Sequence, residues 1–462
     1  MPTVTTPIIP HKTTLVKTSP QGTLDHKAIC VFAATGFFLD QDTWHTHQKM
    51  LSPASLAVVE NGMVQKQTPY FQWHYTPKGI SFEEALEEYT HIFEQILSEQ
   101  TQGEQVILPI SGGLDSRTQA LGLERIGAKV QGYSYDFKGG YPETKIAKKI
   151  AKACGFPFQE LHVEAGYLWD KIEALATMNQ CYSEFTHPRQ MAFTEAYTSM
   201  GTVFSLGHWG DVLFDRGAPK GTTLEDLPQL ALKKIVKKGG WELGNKLWEV
   251  WGLEGNFKEY LTQRTHDLLK QIGIDNASAK MRAFKSLYWA PRWTSVNLSV
   301  FESVHPITLP YYDNRMCEFI CTIPEEYLAD RKLQIAYLKK YSPTLSKITW
   351  QAQKPYNLYT FPKNKSPQNL PYRVIQKAKR EAKKAIGKPY IQRNWELQFE
   401  GMENDAHLQE YLFSEELLGL VPKETVTRFY NAFKNIDAVE YSHPVSMLLT
   451  FALRMKLFEH DT

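Results

Sequence analysis

A chain of 462 residues with 42% hydrophobic and 13% aromatic content is long enough for two or three domains with an ample core. Its 52 Lys and Arg residues against 50 Asp and Glu leave a net charge of +2, which argues against a nucleic-acid polyanion as an obligatory partner. No apolar run approaches the roughly 18–20 residues that span a bilayer, and Met1 to Lys17 lacks the continuous apolar core of a secretory signal.

Residues 1–25 are rich in Thr, Pro and Lys and read as a loose arm. Ala28 to Phe32 and Thr35 to Phe38 read as strand, turn and strand. A hairpin follows, with Leu56 to Glu60 and Met63 to Gln65 joined at Asn61-Gly62. Residues 26–75 are therefore expected to be a small β-rich piece. Ser81 to Glu84 is a capping box, and the spacing of Phe82, Ala85, Leu86, Tyr89, Ile92, Phe93, Ile96 and Leu97 predicts an amphipathic helix.

The run Val106 to Ile110 then reads as a strand ending in Ser111-Gly112-Gly113-Leu114-Asp115-Ser116, with a helix pattern beyond it up to Gly127. Glycines let the backbone approach an anion closely, and the first helix amides have no internal partners. Ser111 and Ser116 add hydroxyls, and Asp115 makes sense beside phosphates once a Mg²⁺ lies between them. The order continues with a strand at Lys129 to Tyr135, a helix at Glu143 to Cys154, and strands at Phe158 to Val163 and Gly201 to Leu206. This alternation predicts an α/β fold with a parallel sheet. A second glycine-bracketed loop, Gly207-His208-Trp209-Gly210-Asp211, closes the last of these strands.

Beyond residue 220 the pattern is helical and rich in tryptophan, and residues 372–388 are a basic run that reads as a solvated helix face. Cys30, Cys154, Cys181, Cys317 and Cys321 form no C-x-x-C pair. They read as buried free thiols of a cytoplasmic protein, with Cys317 and Cys321 on one helix face. The expected division is an N-terminal arm and β-rich piece at 1–78, an α/β domain around the Ser111–Ser116 loop at 79–365, and a helical C-terminal extension at 366–462.

The Ser111–Ser116 run resembles the pyrophosphate loop of the ATP pyrophosphatases, and lacks the Lys of a G-x-x-x-x-G-K-[ST] loop. Three further blocks follow in order: Gly207 to Phe214, Leu309 to Arg315, and Gln351-Ala352-Gln353-Lys354. Together the four are similar to the synthetase domain of the asparagine synthetase family, which includes β-lactam synthetase and the lasso-peptide cyclases. The resemblance covers about residues 80–360. It implies a PP-loop synthetase fold and the cofactors ATP and Mg²⁺. It also implies transfer of AMP to a substrate carboxylate, which an amine or ammonia then displaces. The N-terminal piece resembles the tail of the family's glutaminase domain. Pro2 follows Met1, so no cysteine nucleophile is assigned and glutamine hydrolysis is not expected.

By the same resemblance, Ser111, Gly112, Gly113, Asp115 and Ser116 would cradle the phosphates. Asp115 and Asp211 would hold Mg²⁺. Gly207 would let the chain pass the adenine, and Tyr133 to Tyr135 would offer backbone hydrogen bonds to the base. Lys354 matches a lysine that meets the phosphates, and Glu143 an acidic position opening a helix. The family's loop carries Glu at the positions of His208 and Val212, so plain asparagine synthesis is disfavoured. His208 would deprotonate an attacking amine or else shape the pocket with Trp209. The expected activity is an AMP-forming amide ligase acting on a small-molecule or peptide carboxylate and an amine donor. The alternatives are an intramolecular cyclase and a silent ATP-binding partner subunit. A separate ammonia source is left open, and neither a membrane nor a nucleic acid is expected as partner.

Overall fold

The computed structural model describes residues 4–7, 15–19, 22–60, 63–387 and 390–458. Helix α1 spans His26–Thr35, where the sequence reads as strand, turn and strand. Asp25 caps it by accepting from the Ala28 amide, and Gly36 ends it in the left-handed conformation at φ 80°. The misreading has a physical cause. Ala28 to Ala34 is buried on every side, so the run carries neither a helical nor a strand period. α1 lies against the helices Gly240–Val250 and Ala438–Phe458, and His443 Nε2 donates to the Ala33 carbonyl at 2.9 Å.

Strands β1 (Val4–Pro7), β2 (Leu15–Lys17), β3 (Gln48–Met50), β4 (Ser55–Glu60) and β5 (Met63–Pro69) form a small mixed sheet in the order β1-β4-β5-β2-β3. β4 and β5 are the expected antiparallel hairpin, although its Asn61-Gly62 turn lies outside the described residues.

Ser81 starts α2 (Phe82–Thr101) with both halves of the capping box in place. After it come β6 (Gln105–Pro109), α3 (Asp115–Arg125), β7 (Lys129–Phe137), α4 (Thr144–Ala153), β8 (Phe158–Val163), α5 (Tyr167–Asn179), β9 (Val203–Ser205) and, much later, β10 (Ile307–Thr308). They form a parallel sheet in the order β10-β9-β6-β7-β8. One face packs Val106 and Leu108 against Phe93 and Leu97 of α2 and Ala120 and Leu123 of α3. The other packs Ile107, Tyr133 and Phe204 against Tyr197 and Phe301. The chain leaves β6 in one direction through β7 and β8, then returns to its other side as β9. The carboxyl ends of β6 and β9 are therefore the place where the winding reverses and a ligand crevice opens.

The second half is mainly helical, and the final helix Ala438–Phe458 is buried from Pro444 to Arg454. The basic run forms helix Leu370–Ala385, none of whose residues is buried, while Lys388 lies outside the described residues. No described helix is long and apolar enough to cross a membrane. All five cysteines are free and buried, with Cys317 and Cys321 on helix Asn314–Thr322.

Candidate active site

The loop after β6 is held by its own serines. The Ser111 amide donates to Ser116 Oγ at 2.9 Å, the two hydroxyls meet at 3.0 Å, and the Gly113 amide donates to Ser111 Oγ at 3.2 Å. Gly112 faces Gln351: its amide donates to Gln351 Oε1 at 3.0 Å, and its carbonyl accepts from the Gln351 amide at 3.0 Å. A Cβ on Gly112 would stand 2.4 Å from Gln351 Oε1, so this approach needs glycine. Arg117, fully buried, ties the loop to the same distant segment. Its guanidinium donates to the carbonyls of Gly112, Leu345, Ile348 and Thr349 at 2.7–3.3 Å. Burial pushes its pKa down to about 10, which leaves it charged at neutral pH.

Asp115 opens α3 with its carboxylate against the loop that follows β9. A Cβ on Gly210 would lie 2.3 Å from Asp115 Oδ1, and one on Gly207 would lie 2.9 Å from Gln119 Oε1. The second loop therefore passes close over the start of α3 because it carries glycine at both points. Trp209 between them sits in the left-handed region at φ 71°. Asp115 Oδ1 also accepts from Gln334 Nε2 at 3.1 Å and from the Arg331 guanidinium, and its carbonyl accepts from the Tyr311 hydroxyl at 3.2 Å. Burial raises the Asp115 pKa, Arg331 opposes that, and the nearby Asp211 charge adds to it.

These loops border a cavity of about 570 Å³ whose wall includes Ser111, Asp115, Ser116, Tyr133 to Phe137, Gly207 and His208. The asparagine synthase family model matches residues 89–342, more than half of the chain. The chain belongs to the asparagine synthase family. Among solved structures, NMN synthetase from Francisella tularensis is similar at 13% identity and a TM-score of 0.22, covering 41% of this chain and 94% of that one. No curated protein matches the chain.

Membership makes this a ligase-type, nucleotide-binding protein whose relatives use ATP. In this family member the Ser111–Ser116 loop and the Gly207–Asp211 loop lie against each other, while other candidate residues are placed differently. Asp211 is exposed at the start of the short helix Gly210–Leu213, near Asp115 but outside the cavity wall. Lys354 is half-buried and follows the turn Gln351–Gln353. It does not line the cavity, which that segment reaches through Gln351. The Tyr133 carbonyl already accepts from the Ile110 amide at 2.8 Å, and its ring is fully buried. β7 outruns β6 beyond Tyr133, so the backbone edge free to meet a base is Ser134 to Phe137. In the third block, Asp313 caps helix Asn314–Thr322 and pairs with Arg315 at 2.9 Å, which is structural work.

His208 lines the cavity with its Nδ1 buried and without a hydrogen-bond partner. The sequence predicts a near-neutral imidazole. Desolvation instead pushes its pKa down to about 4, against the pull of Asp211. It is neutral at physiological pH and a weaker base than expected.

Four wall residues carry no sequence signal or only a faint one. Asp136, at the end of β7, accepts from the Glu143 and Thr144 amides at 2.7 and 3.0 Å and so caps α4. An acid between a strand and a helix start was the only hint of it. Arg189, from the one-turn helix Arg189–Phe193, is the only basic residue lining the cavity among the described residues, and its Nε is buried without a partner. Ile391 and Gln392 come from the far end of the chain, docked where the Ile391 amide donates to the Gly139 carbonyl at 3.3 Å.

Proposed function

We propose that this chain is an ATP-dependent, AMP-forming amide ligase. The observation that carries the reading is the meeting of the Ser111–Ser116 loop and the Gly207–Asp211 loop at the reversal point of the sheet. The α-phosphate would sit at the start of α3, where the amides of the first turn and the hydroxyls of Ser111 and Ser116 converge. The adenine would lie along the Ser134–Phe137 edge.

A substrate carboxylate oxygen attacks the α-phosphorus, the bond to the β-phosphate oxygen breaks, and pyrophosphate leaves. The nitrogen of an amine then attacks the acyl carbon, the bond to AMP breaks, and one proton leaves the nitrogen. Arg189 is the group on hand for the carboxylate, since no other Lys or Arg among the described residues lines the cavity. Asp115 and Asp211 would hold a Mg²⁺ that neutralises phosphate charge when bound. Two carboxylates suit an ion that takes its remaining ligands from phosphate and water. Among the described residues no group of three or more His, Cys, Asp or Glu offers a complete protein cage. Lys354 would approach the phosphates only by a movement of its segment. A biosynthetic setting in specialised metabolite, peptide or sugar-acid chemistry fits an amide ligase of this kind.

The test is phosphorus NMR of ATP with Mg²⁺, a panel of carboxylates, and amines added or withheld. AMP and pyrophosphate from the wild type and not from Asp115→Ala support the reading. ADP and phosphate overturn it.

A further inference from the structure

A second cavity adjoins the first, and His208 is the one residue that lines both. The second is apolar. Its wall includes Phe71, Trp73, Leu287, Ala290, Pro291 and Leu298, and it contains no Asp, Glu, Lys or Arg. Segments far apart in sequence build it: the N-terminal segment that carries Phe71 and Trp73, the π-helical stretch Lys285–Thr294 with Pro291 inside it, and the chain from Leu309 to Cys317. Such i→i+5 turns are uncommon and recur at functional sites. Its free volume of about 40 Å³ is room for about three water-sized spheres.

Three polar atoms in this apolar wall have no partner, the Tyr312 hydroxyl among them. Thr294 is 5% exposed and its Oγ1 is buried without a hydrogen bond, and His208 Nδ1 is in the same state. Buried polar atoms are normally satisfied, so two hydroxyls and an imidazole nitrogen left unmet in one small cavity call for a small group that has both donors and a lone pair. A neutral primary amine supplies two N–H groups. Its ammonium form would have to leave water for a cavity with no counter-charge, which costs far more. Only the free base has the lone pair needed to attack an acyl carbon, and the cavity meets the nucleotide site at His208.

We propose that this apolar cavity is the subsite of the amine component and takes the free base of a short primary alkylamine group, its alkyl part about three carbons long. The proposal rests on the ligase reading for the word component, while its binding claim stands alone. A carboxylate is not the occupant, because nothing in the wall would neutralise it. A zwitterionic amino acid is excluded on the same ground.

The test uses the full chain and two matched probes, n-propylamine and ethanolamine, which differ by a methyl in place of a hydroxyl. Ligand-observed NMR titrations give their affinities between pH 7 and 8.5, and calorimetry follows Mg·ATP separately. Propylamine is expected to bind at least tenfold more tightly than ethanolamine. Its apparent affinity should rise about tenfold per pH unit, as the free-base fraction does below an amine pKa of about 10.4. Ala290→Phe fills the cavity and should abolish propylamine binding with Mg·ATP binding unchanged. Thr294→Val keeps the shape, removes one acceptor, and should weaken propylamine about tenfold. This second variant decides the matter if the first does not fold. Equal binding of the two probes, a pH-independent affinity, or full binding by Thr294→Val overturns the proposal. Propylamine binding without ATP cleavage on any carboxylate would keep the subsite and count against the ligase reading. ATP cleavage to AMP without propylamine binding would do the reverse.

Discussion

Arg331 and Asp115, 216 positions apart, form an ion pair at the end of the Ser111–Ser116 loop. Both Asp330 and Arg331 hold left-handed backbone angles, at φ 59° and 62°, to bring the guanidinium there. Consecutive left-handed residues that are not glycine cost energy and persist where the surrounding structure fixes them. The pair therefore works against the burial that raises the pKa of the carboxylate on which metal and phosphate binding would depend.

Removing Arg331 takes away the group that opposes the rise of the Asp115 pKa. The carboxyl would then ionise only at a higher pH. Arg331→Gln is expected to lower stability by about 1–3 kcal/mol and to move the acid limb of the ATP-cleavage profile upward. Thermal melts and AMP release against pH read both effects. A profile with an unmoved acid limb would show that Arg331 does not set this charge.

Gly210→Ala puts a Cβ 2.3 Å from Asp115 Oδ1, and the Tyr311 ring at 3.0 Å closes the other side. The carboxylate has to move off its partners. A loss of about 10²–10³ in turnover is expected, as for other displaced charge-stabilising groups. Gly127→Ala, whose Cβ would meet nothing within 4 Å but whose φ is +71°, is the control for backbone strain alone. Equal losses in the two variants would sink the steric argument.

Arg117 is fully buried and satisfies four carbonyls. Arg117→Ala leaves them unpaired and should cost more than about 3 kcal/mol. Arg117→Lys keeps the charge but loses the fork, so it should fall between. Urea unfolding of the three proteins checks the order, and an alanine variant as stable as the wild type would refute it.

His208 and His443 are both held neutral by burial, with pKa values pushed down to about 4 and about 3. Their folded values lie below the unfolded value of about 6.5, so the unfolded chain binds more protons between those limits. Stability is therefore full above about pH 6.5 and declines as pH falls toward 4, by up to about 1.4 kcal/mol per pH unit for each histidine. His443→Gln can still donate to the Ala33 carbonyl and should flatten the decline. Melting temperature against pH, from 7.5 to 4.5, measures it. A variant with the wild-type slope would assign the decline elsewhere.

The readable parts of the fold were those with a local cause. The Ser81 capping box, the strand before Ser111 and the glycines at Gly207 and Gly210 each express their role within a few residues. α1 was unreadable because burial on all sides erases periodicity, and its cover arrives from Ala438–Phe458 at the other end of the chain. Asp136 shows the middle case: an acid whose capping role depends on where the chain returns seven residues later.

The sequence by itself determined that this is a parallel α/β fold with a phosphate-sized loop, because alternating strand and helix patterns and glycine placement are short-range facts. Tertiary structure alone decided the chemistry of the cavity wall. It brought Arg331 to Asp115, Gln351 and Arg117 to Gly112, and Arg189 and Ile391 to the rim. It also turned His208 from a near-neutral base into a desolvated neutral one. Charge state and hydrogen-bond supply depend on which groups are excluded from water together, and that is settled only when distant segments pack.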